Sequence, residues 1–259
     1  MTVTADMRLR SFRRVLRKPA RPGTMHRHTL SAPHSLPPPD RLSPGAMGEL
    51  ILVRHGQANS SATTEADYDR LSDLGRQQAA WLGDWIHGNL GEIDHVLSGT
   101  LRRHRQTVDA MGLDAETDPR LNEIDYFLLS ASARDRLGWP LPGPDDFGDH
   151  MPRVFAAWER AEIEGTETFA AFETRVGEML AEAAVPGRRI LCVTSGGPIG
   201  MVLRHLLGLD LTRLAQVMLP IYNTSLHRVR VLPKGPILSG FNAVPHLDAP
   251  DRADARTFY

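Results

Sequence analysis

A single cysteine, Cys192, in a chain of 259 residues excludes a disulfide framework and a cysteine metal centre within one chain. It sits in the apolar run Ile190-Leu191-Cys192-Val193, where it reads as a small buried hydrophobe and not as a reactive thiol. One unpaired cysteine fits a reducing compartment, and a cytoplasmic location is expected. Lysine is also scarce, with only Lys18 and Lys234, so arginine carries the positive charge. No apolar stretch approaches the roughly 18 residues of a membrane span, so no membrane association is expected. A Gly-rich nucleotide loop of the P-loop type is missing, as is any carboxylate or histidine cluster of metal-binding spacing. Neither a metal nor another cofactor is expected.

The net charge of −1 hides an asymmetry. Residues 1–46 hold nine Arg or Lys against Asp6 and Asp40, a balance of +7, which leaves −8 on the other 213 residues. That first segment carries Pro19, Pro22, Pro33, Pro37-Pro38-Pro39 and Pro44. Proline at this density removes backbone donors and breaks helices, and there is too little apolar surface to pack. A basic arm, a targeting sequence and a stretch upstream of a start at Met47 are the competing readings. A disordered tail or untranslated sequence is preferred, and no nucleic-acid partner is expected.

From Met47 the pattern is regular, and a folded domain is expected over 47–248 with a tail at 249–259. Leu50-Ile51-Leu52-Val53 has the length and continuity of a strand buried on both faces. Ser72 is a candidate N-cap for a helix carrying Leu74, Gln78, Trp81, Leu82 and Trp85 at helical spacing, stopped at Asn89-Leu90-Gly91. Strands are expected at 93–98, 189–194 and, last, 226–232. Helices are expected at 101–111 and 198–207, and residues 126–188 read mainly as helices, notably 154–163 and 169–184, separated by a Pro- and Gly-rich stretch at 139–149. This alternation implies an α/β fold with three layers, a mostly parallel sheet covered by helices on both faces.

In such sheets ligands bind beyond the carboxyl ends of the strands. Three segments fall there: Arg54-His55-Gly56, Ser98-Gly99 and Ser195-Gly196-Gly197. Gly196-Gly197-Pro198 opens a helix, where backbone N–H groups can approach an anion. Arg54 supplies a fixed cation, and His55 a group able to attack phosphorus at neutral pH.

The segment Leu52-Val53-Arg54-His55-Gly56-Gln57-Ala58 resembles the signature of the histidine phosphatase superfamily, the phosphoglycerate-mutase-like proteins. Further motifs follow in order. Tyr68-Asp69-Arg70-Leu71-Ser72-Asp73-Leu74-Gly75-Arg76-Gln77-Gln78-Ala79 resembles the family's helix start, and Ser98 to Thr107 its second arginine motif. Leu121-Asn122-Glu123 resembles the motif bearing the acid, and Val193-Thr194-Ser195-Gly196-Gly197 falls where the family has its second histidine.

The resemblance implies that His55 is the nucleophile, forming a phosphohistidine, and that Glu123 gives a proton to the leaving oxygen, with Asp125 a substitute. It implies that Arg54 and Arg103 hold the phosphoryl oxygens, with Arg102 the fallback for Arg103, and that Ser195 and Gly196 complete the phosphate site. Serine at 195 departs from the pattern, since a hydroxyl brings no full charge. Losing one charge-assisted bond costs on the order of 1.5–3 kcal/mol, about one to two decades in rate. Three readings follow: a weaker site aided by the Gly196 and Gly197 amides, replacement by His104 or His246, or binding of phospho-ligands without efficient turnover. The expected activity is hydrolysis of a phosphomonoester, on a small phosphorylated metabolite or a phosphoprotein, with a mutase as the neighbouring alternative. Substrate identity and oligomeric state are not encoded in these motifs.

Overall fold

The computed structural model describes residues 47–59, 61–143 and 146–258. The expectations for residues 1–46 lie outside the described residues. Six strands form one sheet in the order β3-β2-β4-β1-β5-β6. At its centre β1 (Gly48–Arg54) pairs parallel with β4 (Arg189–Thr194) and antiparallel with β5 (Leu226–Leu232). Beyond β4, β2 (His95–Ser98) and the two-residue β3 (Glu116–Thr117) continue in parallel. The other edge is β6 (Gly235–Ala243), antiparallel to β5. The mostly parallel sheet is therefore present, with an antiparallel pair at one side.

Leu50 to Val53 are at most 1% exposed, as a strand covered on both faces requires. Alternate residues face opposite ways. Ile51, Val53, Leu191 and Val193 join Ala79, Leu82 and Ile86 of α2 (Asp73–Asn89) and Val108 of α3 (Arg102–Ala110) in one cluster. Leu50, Leu52, Ile190 and Cys192 are buried on the opposite face, where α7 (Gly196–Leu207) runs along β1. Burial pushes the Cys192 thiol pKa up, consistent with its reading as a core side chain. Ser72 caps α2 as expected, its Oγ accepting from Gly75 N–H at 3.0 Å.

Several elements differ from the sequence expectation. The loop after β1 contains α1 (Glu65–Tyr68), capped by Thr64. Between β3 and β4 the helices expected over 126–188 are present as α4 (Tyr126–Leu137), α5 (Phe147–Glu159) and α6 (Phe169–Ala183), and of these it is α5 whose bounds shift. α5 begins inside the stretch read as a separator and keeps Pro152 within it. α8 (Leu211–Met218) was not anticipated, nor was β6 as a strand after β5. β6 is an edge strand with an exposed face, and Pro236 and Gly240 interrupt its apolar pattern. The expected tail is also corrected: residues 250–255 form a 3-10 helix. Gln78 Nε2 donates to Ala255 O and Thr257 Oγ1, and Asn223 N–H donates to Thr257 O. With few apolar side chains, this segment is held chiefly through its polar atoms and gives no periodic signal. Among the described residues no helix is long and apolar enough to cross a membrane.

Candidate active site

Parallel pairing brings the carboxyl ends of β1, β2 and β4 to one edge of the sheet. His55 N–H donates to Thr194 O at 2.9 Å and Gly99 N–H to Val193 O at 3.0 Å, so register alone places these loops side by side. His55 is 2% exposed. Its Nδ1 lies 2.7 Å from Gly56 O. A carbonyl can only accept, so Nδ1 carries the proton and Nε2 keeps its lone pair. Burial, then Arg103, Arg54 and His104, holds the imidazole pKa well below its ordinary 6.5. At neutral pH the ring is uncharged and nucleophilic.

The turn that presents His55 is locked from two sides. Gly56 N–H donates to Thr107 Oγ1 at 3.1 Å, and Thr107 Oγ1 donates to Arg103 O at 2.7 Å. Gly56 and Gly75 meet backbone to backbone: a Cβ on Gly56 would lie 2.3 Å from Gly75 O, and one on Gly75 would lie 2.1 Å from Gln57 O. Neither position accepts a side chain without moving the loop that carries His55.

Arg103 is wholly buried, whereas Arg102 points to solvent, which removes the fallback. Arg103 Nη1 pairs with Glu65 at 2.5 Å and Asp69 at 3.3 Å, and its guanidinium carbon lies 5.0 Å above the Tyr68 ring. Asp69 also caps α3 from outside, accepting from Arg102 N–H and Arg103 N–H at 2.9 and 3.0 Å. α3 has no side-chain cap of its own, so this carboxylate fixes both the helix start and the arginine it carries. Arg54 Nη1 donates to the carbonyls of Ile221 and Phe258. Burial works against the Arg54 charge, and Tyr68 and Glu123 favour it. Arg54 Nε, Arg103 Nε and Arg103 Nη2 are buried and have no acceptor among the described residues. Buried guanidinium donors left unpaired are rare and call for an anion.

Glu123 is positioned by backbone amides: Oε2 accepts from Gly197 N–H at 2.8 Å and Oε1 from Ile124 N–H at 3.0 Å. A Cβ on Gly197 would lie 2.0 Å from Glu123 Oε1, so the glycine there is a condition of that contact. Asp125 does not take the acid's place. It caps α4, accepting from Leu128 N–H at 2.9 Å.

Arg54, His55, Arg103, Glu123 and Gly196 line one cavity of about 230 Å³. Ser195 does not line it; its Oγ lies 2.7 Å from Nε2 of His104. His104 is fully buried, its ring centroid 5.7 Å from that of His55, and burial with Arg103 holds its pKa well below the ordinary value. His246 is not part of this group. It contacts Thr224 Oγ1 at 2.8 Å, behind the segment whose Thr224 N–H donates to Arg54 O and His55 O. Sequence reasoning missed Glu65, Tyr68 and Asp69. Tyr68 and Asp69 stood at the head of the helix-start motif without a role, and Glu65 lay in a stretch taken for a loop. Burial raises the Glu65 pKa against the pull of Arg103.

A mostly parallel α/β sheet with an arginine-lined histidine at its carboxyl edge defines a class, and comparison with known proteins names it. The model of the histidine phosphatase superfamily (branch 1) matches residues 50–244, and the chain belongs to that family. A Yersinia pestis protein named probable phosphoglycerate mutase is 30% identical, the match covering 79% of this chain and 97% of that one. Phosphoserine phosphatase of Entamoeba histolytica superposes with a TM-score of 0.58 at 20% identity, covering 77% of this chain and 99% of that one. Phosphoglycerate mutase of Bacillus anthracis gives 0.56 at 16% identity, with coverage of 78% and 96%. These two structures share the fold.

Proposed function

We propose that the protein hydrolyses phosphomonoesters through a phosphohistidine on His55. The observation that carries this reading is the set of three buried guanidinium nitrogens without acceptors among the described residues, beside a neutral imidazole with its Nε2 lone pair. Nε2 attacks phosphorus, the ester P–O bond breaks, and the leaving oxygen takes a proton from the Glu123 carboxyl. Water then attacks phosphorus and gives a proton to the Glu123 carboxylate as the P–N bond breaks, so phosphate departs and Nε2 regains its lone pair. Arg54 and Arg103 stabilise the equatorial oxygens, where charge is spread in the transition state. Gly196 adds backbone polarity at the start of α7.

His104 and Ser195 act as a pair behind the cavity wall in this scheme. Their 2.7 Å contact joins α3, which carries Arg103, to the start of α7, which carries the Gly196 and Gly197 amides. The pair thus positions the phosphate-holding groups without itself touching the phosphoryl oxygens.

The test is a rapid quench after mixing with a labelled phosphomonoester, followed by peptide mapping. An acid-labile, base-stable phosphate on His55 is expected. Turnover with no phosphoenzyme at His55, or full activity in His55→Ala, would overturn the reading. For the pair, Ser195→Ala and His104→Ala are each expected to lower kcat by about tenfold or more, with the double variant little worse than either. Independent, additive losses would separate the two residues.

A further inference from the structure

The cavity has two unlike ends. Around His55 it is polar, but the remaining wall is apolar and largely aromatic. Phe147, Met151 and Phe155 come from successive turns of α5, at i, i+4 and i+8, so one stripe of that helix faces the cavity. Tyr126 and Phe127 enter from the first turn of α4, and Phe258 from the end of the described chain. These rings pack on one another: Tyr126 and Phe147 have centroids 5.2 Å apart, and Phe127 and Tyr68 6.2 Å apart.

Charge in the cavity is equally one-sided. The only cations lining it among the described residues are Arg54 and Arg103, both at the His55 end. Their bound nitrogens are committed to carbonyls and carboxylates, and what remains suits one phosphoryl group. Glu65, paired with Arg103, adds negative charge that repels a second anion, and Glu123, bearing the proton it donates, offers no positive charge. A carboxylate or second phosphate on the substrate would find no partner and would lose its hydration against rings.

We infer that the substrate is the phosphate monoester of a small, uncharged, apolar alcohol, with an aromatic or comparably flat group lying against Phe147, Met151 and Phe155. A volume of about 230 Å³ falls below the ~300–1,000 Å³ of drug-sized ligand pockets. It accommodates a phosphoryl group and about one ring. Phosphoglycerate and other carboxylated or doubly phosphorylated metabolites are poor occupants on this account. The inference rests on the phosphatase reading for its turnover but not for its binding preference, so both are measured.

The full chain is assayed with 2-phenylethyl phosphate, ethyl phosphate and 3-phosphoglycerate. All three release an unactivated alcohol, so differences report the alcohol's surroundings and not leaving-group chemistry. Affinities for 2-phenylethylphosphonate and ethylphosphonate, which cannot be hydrolysed, are measured by calorimetry. Phenylethyl phosphate is expected to exceed ethyl phosphate in kcat/KM by about tenfold to a hundredfold, as burial of one ring implies, with 3-phosphoglycerate lowest. The phosphonates should show the same order in Kd. In Phe147→Ala and, separately, Phe127→Ala, the phenylethyl-to-ethyl ratio should fall several-fold, with folding checked by thermal melting. Phe147→Arg should raise kcat/KM for 3-phosphoglycerate relative to phenylethyl phosphate. Equal kcat/KM and equal Kd for the phenylethyl and ethyl compounds overturn the inference and leave the phosphatase reading standing. A phosphonate preference without turnover of any ester removes the enzyme reading and leaves the ligand class.

Discussion

The two ends of the cavity are built by different rules. At the His55 end, hydrogen bonds to the backbone set the position of each group: His55 after β1, Arg103 at the start of α3, and Glu123 in the loop before α4, held by Gly197 N–H at the start of α7. At the apolar end, the rings come from α4, α5 and the closing segment; the Phe258 carbonyl accepts from Arg54, while the rings of α4 and α5 meet the cavity through side-chain packing. The first end holds atoms to a fraction of an ångström, as phosphoryl transfer needs. The second offers area and exclusion of water, which tolerate looser placement. Reaction type belongs to the rigid end, and choice of substrate to the adaptable one.

That division can be broken most directly at the nucleophile. His55→Ala is expected to lower turnover by at least about three orders of magnitude on every ester tried, because no other group takes its place. A loss confined to some esters would show that the ends are not separable. Arg103→Ala should cost about 10²- to 10³-fold in kcat/KM. It also leaves Glu65 and Asp69 without their cation, so the melting temperature should drop as well. Gly197→Ala is the sharper probe of geometry. Its methyl must displace the Glu123 carboxylate, and kcat should fall about tenfold to a hundredfold with little change in stability. Unchanged kcat in a folded Gly197→Ala protein would remove Glu123 from the acid's role.

Acidity tests the rigid end without mutation. Because the His55 pKa is held below 6.5, its lone pair persists as pH falls through 6.5, and the acid limb of kcat/KM should lie lower. A limb centred at 6.5, matched by the His55 ring signals in NMR, would contradict its burial. Stability has its own sign. Burial pushes His227 down to about 3 and His246 down to about 4, so the unfolded chain takes up protons first. Their contribution is complete above pH 6.5 and is lost as pH falls towards 3–4. Melting temperatures should therefore drop between pH 7 and pH 5, and less steeply in His227→Gln. The smallest effect is expected for Asp125→Ala: about 1 kcal/mol of stability from a lost helix cap, with turnover within about twofold.

The same contrast explains what could be read from the residues. Leu50 to Val53, the Ser72 cap and Gly196-Gly197-Pro198 are local signals, and the strands, helix starts and strand-end site followed from them. Arg103 was separable from Arg102 only through Thr107, and the structure gives that spacing a cause in the Thr107 bonds to Gly56 and Arg103. Glu123 was preferred to Asp125 through the motif alone, since both are acids in one short loop. Capping is what assigns one to a helix. The partnership of His104 with Ser195 spans 91 positions and leaves no local trace. The apolar wall was invisible for a similar reason: its residues are ordinary hydrophobes at helical spacing, which serve a core equally well.

Arg54 takes its acceptors from Ile221 and Phe258, the latter 204 positions along the chain. The phosphate site is thus completed by one of the longest loop closures in the domain. Contacts of such separation form late, after local helices and the parallel strands have assembled. A partly folded chain could hold β1, α3 and β4 in place and still present Arg54 wrongly. Recovery of phosphohistidine formation during refolding would then lag behind recovery of secondary structure, and the last segment to dock would set the moment at which chemistry begins.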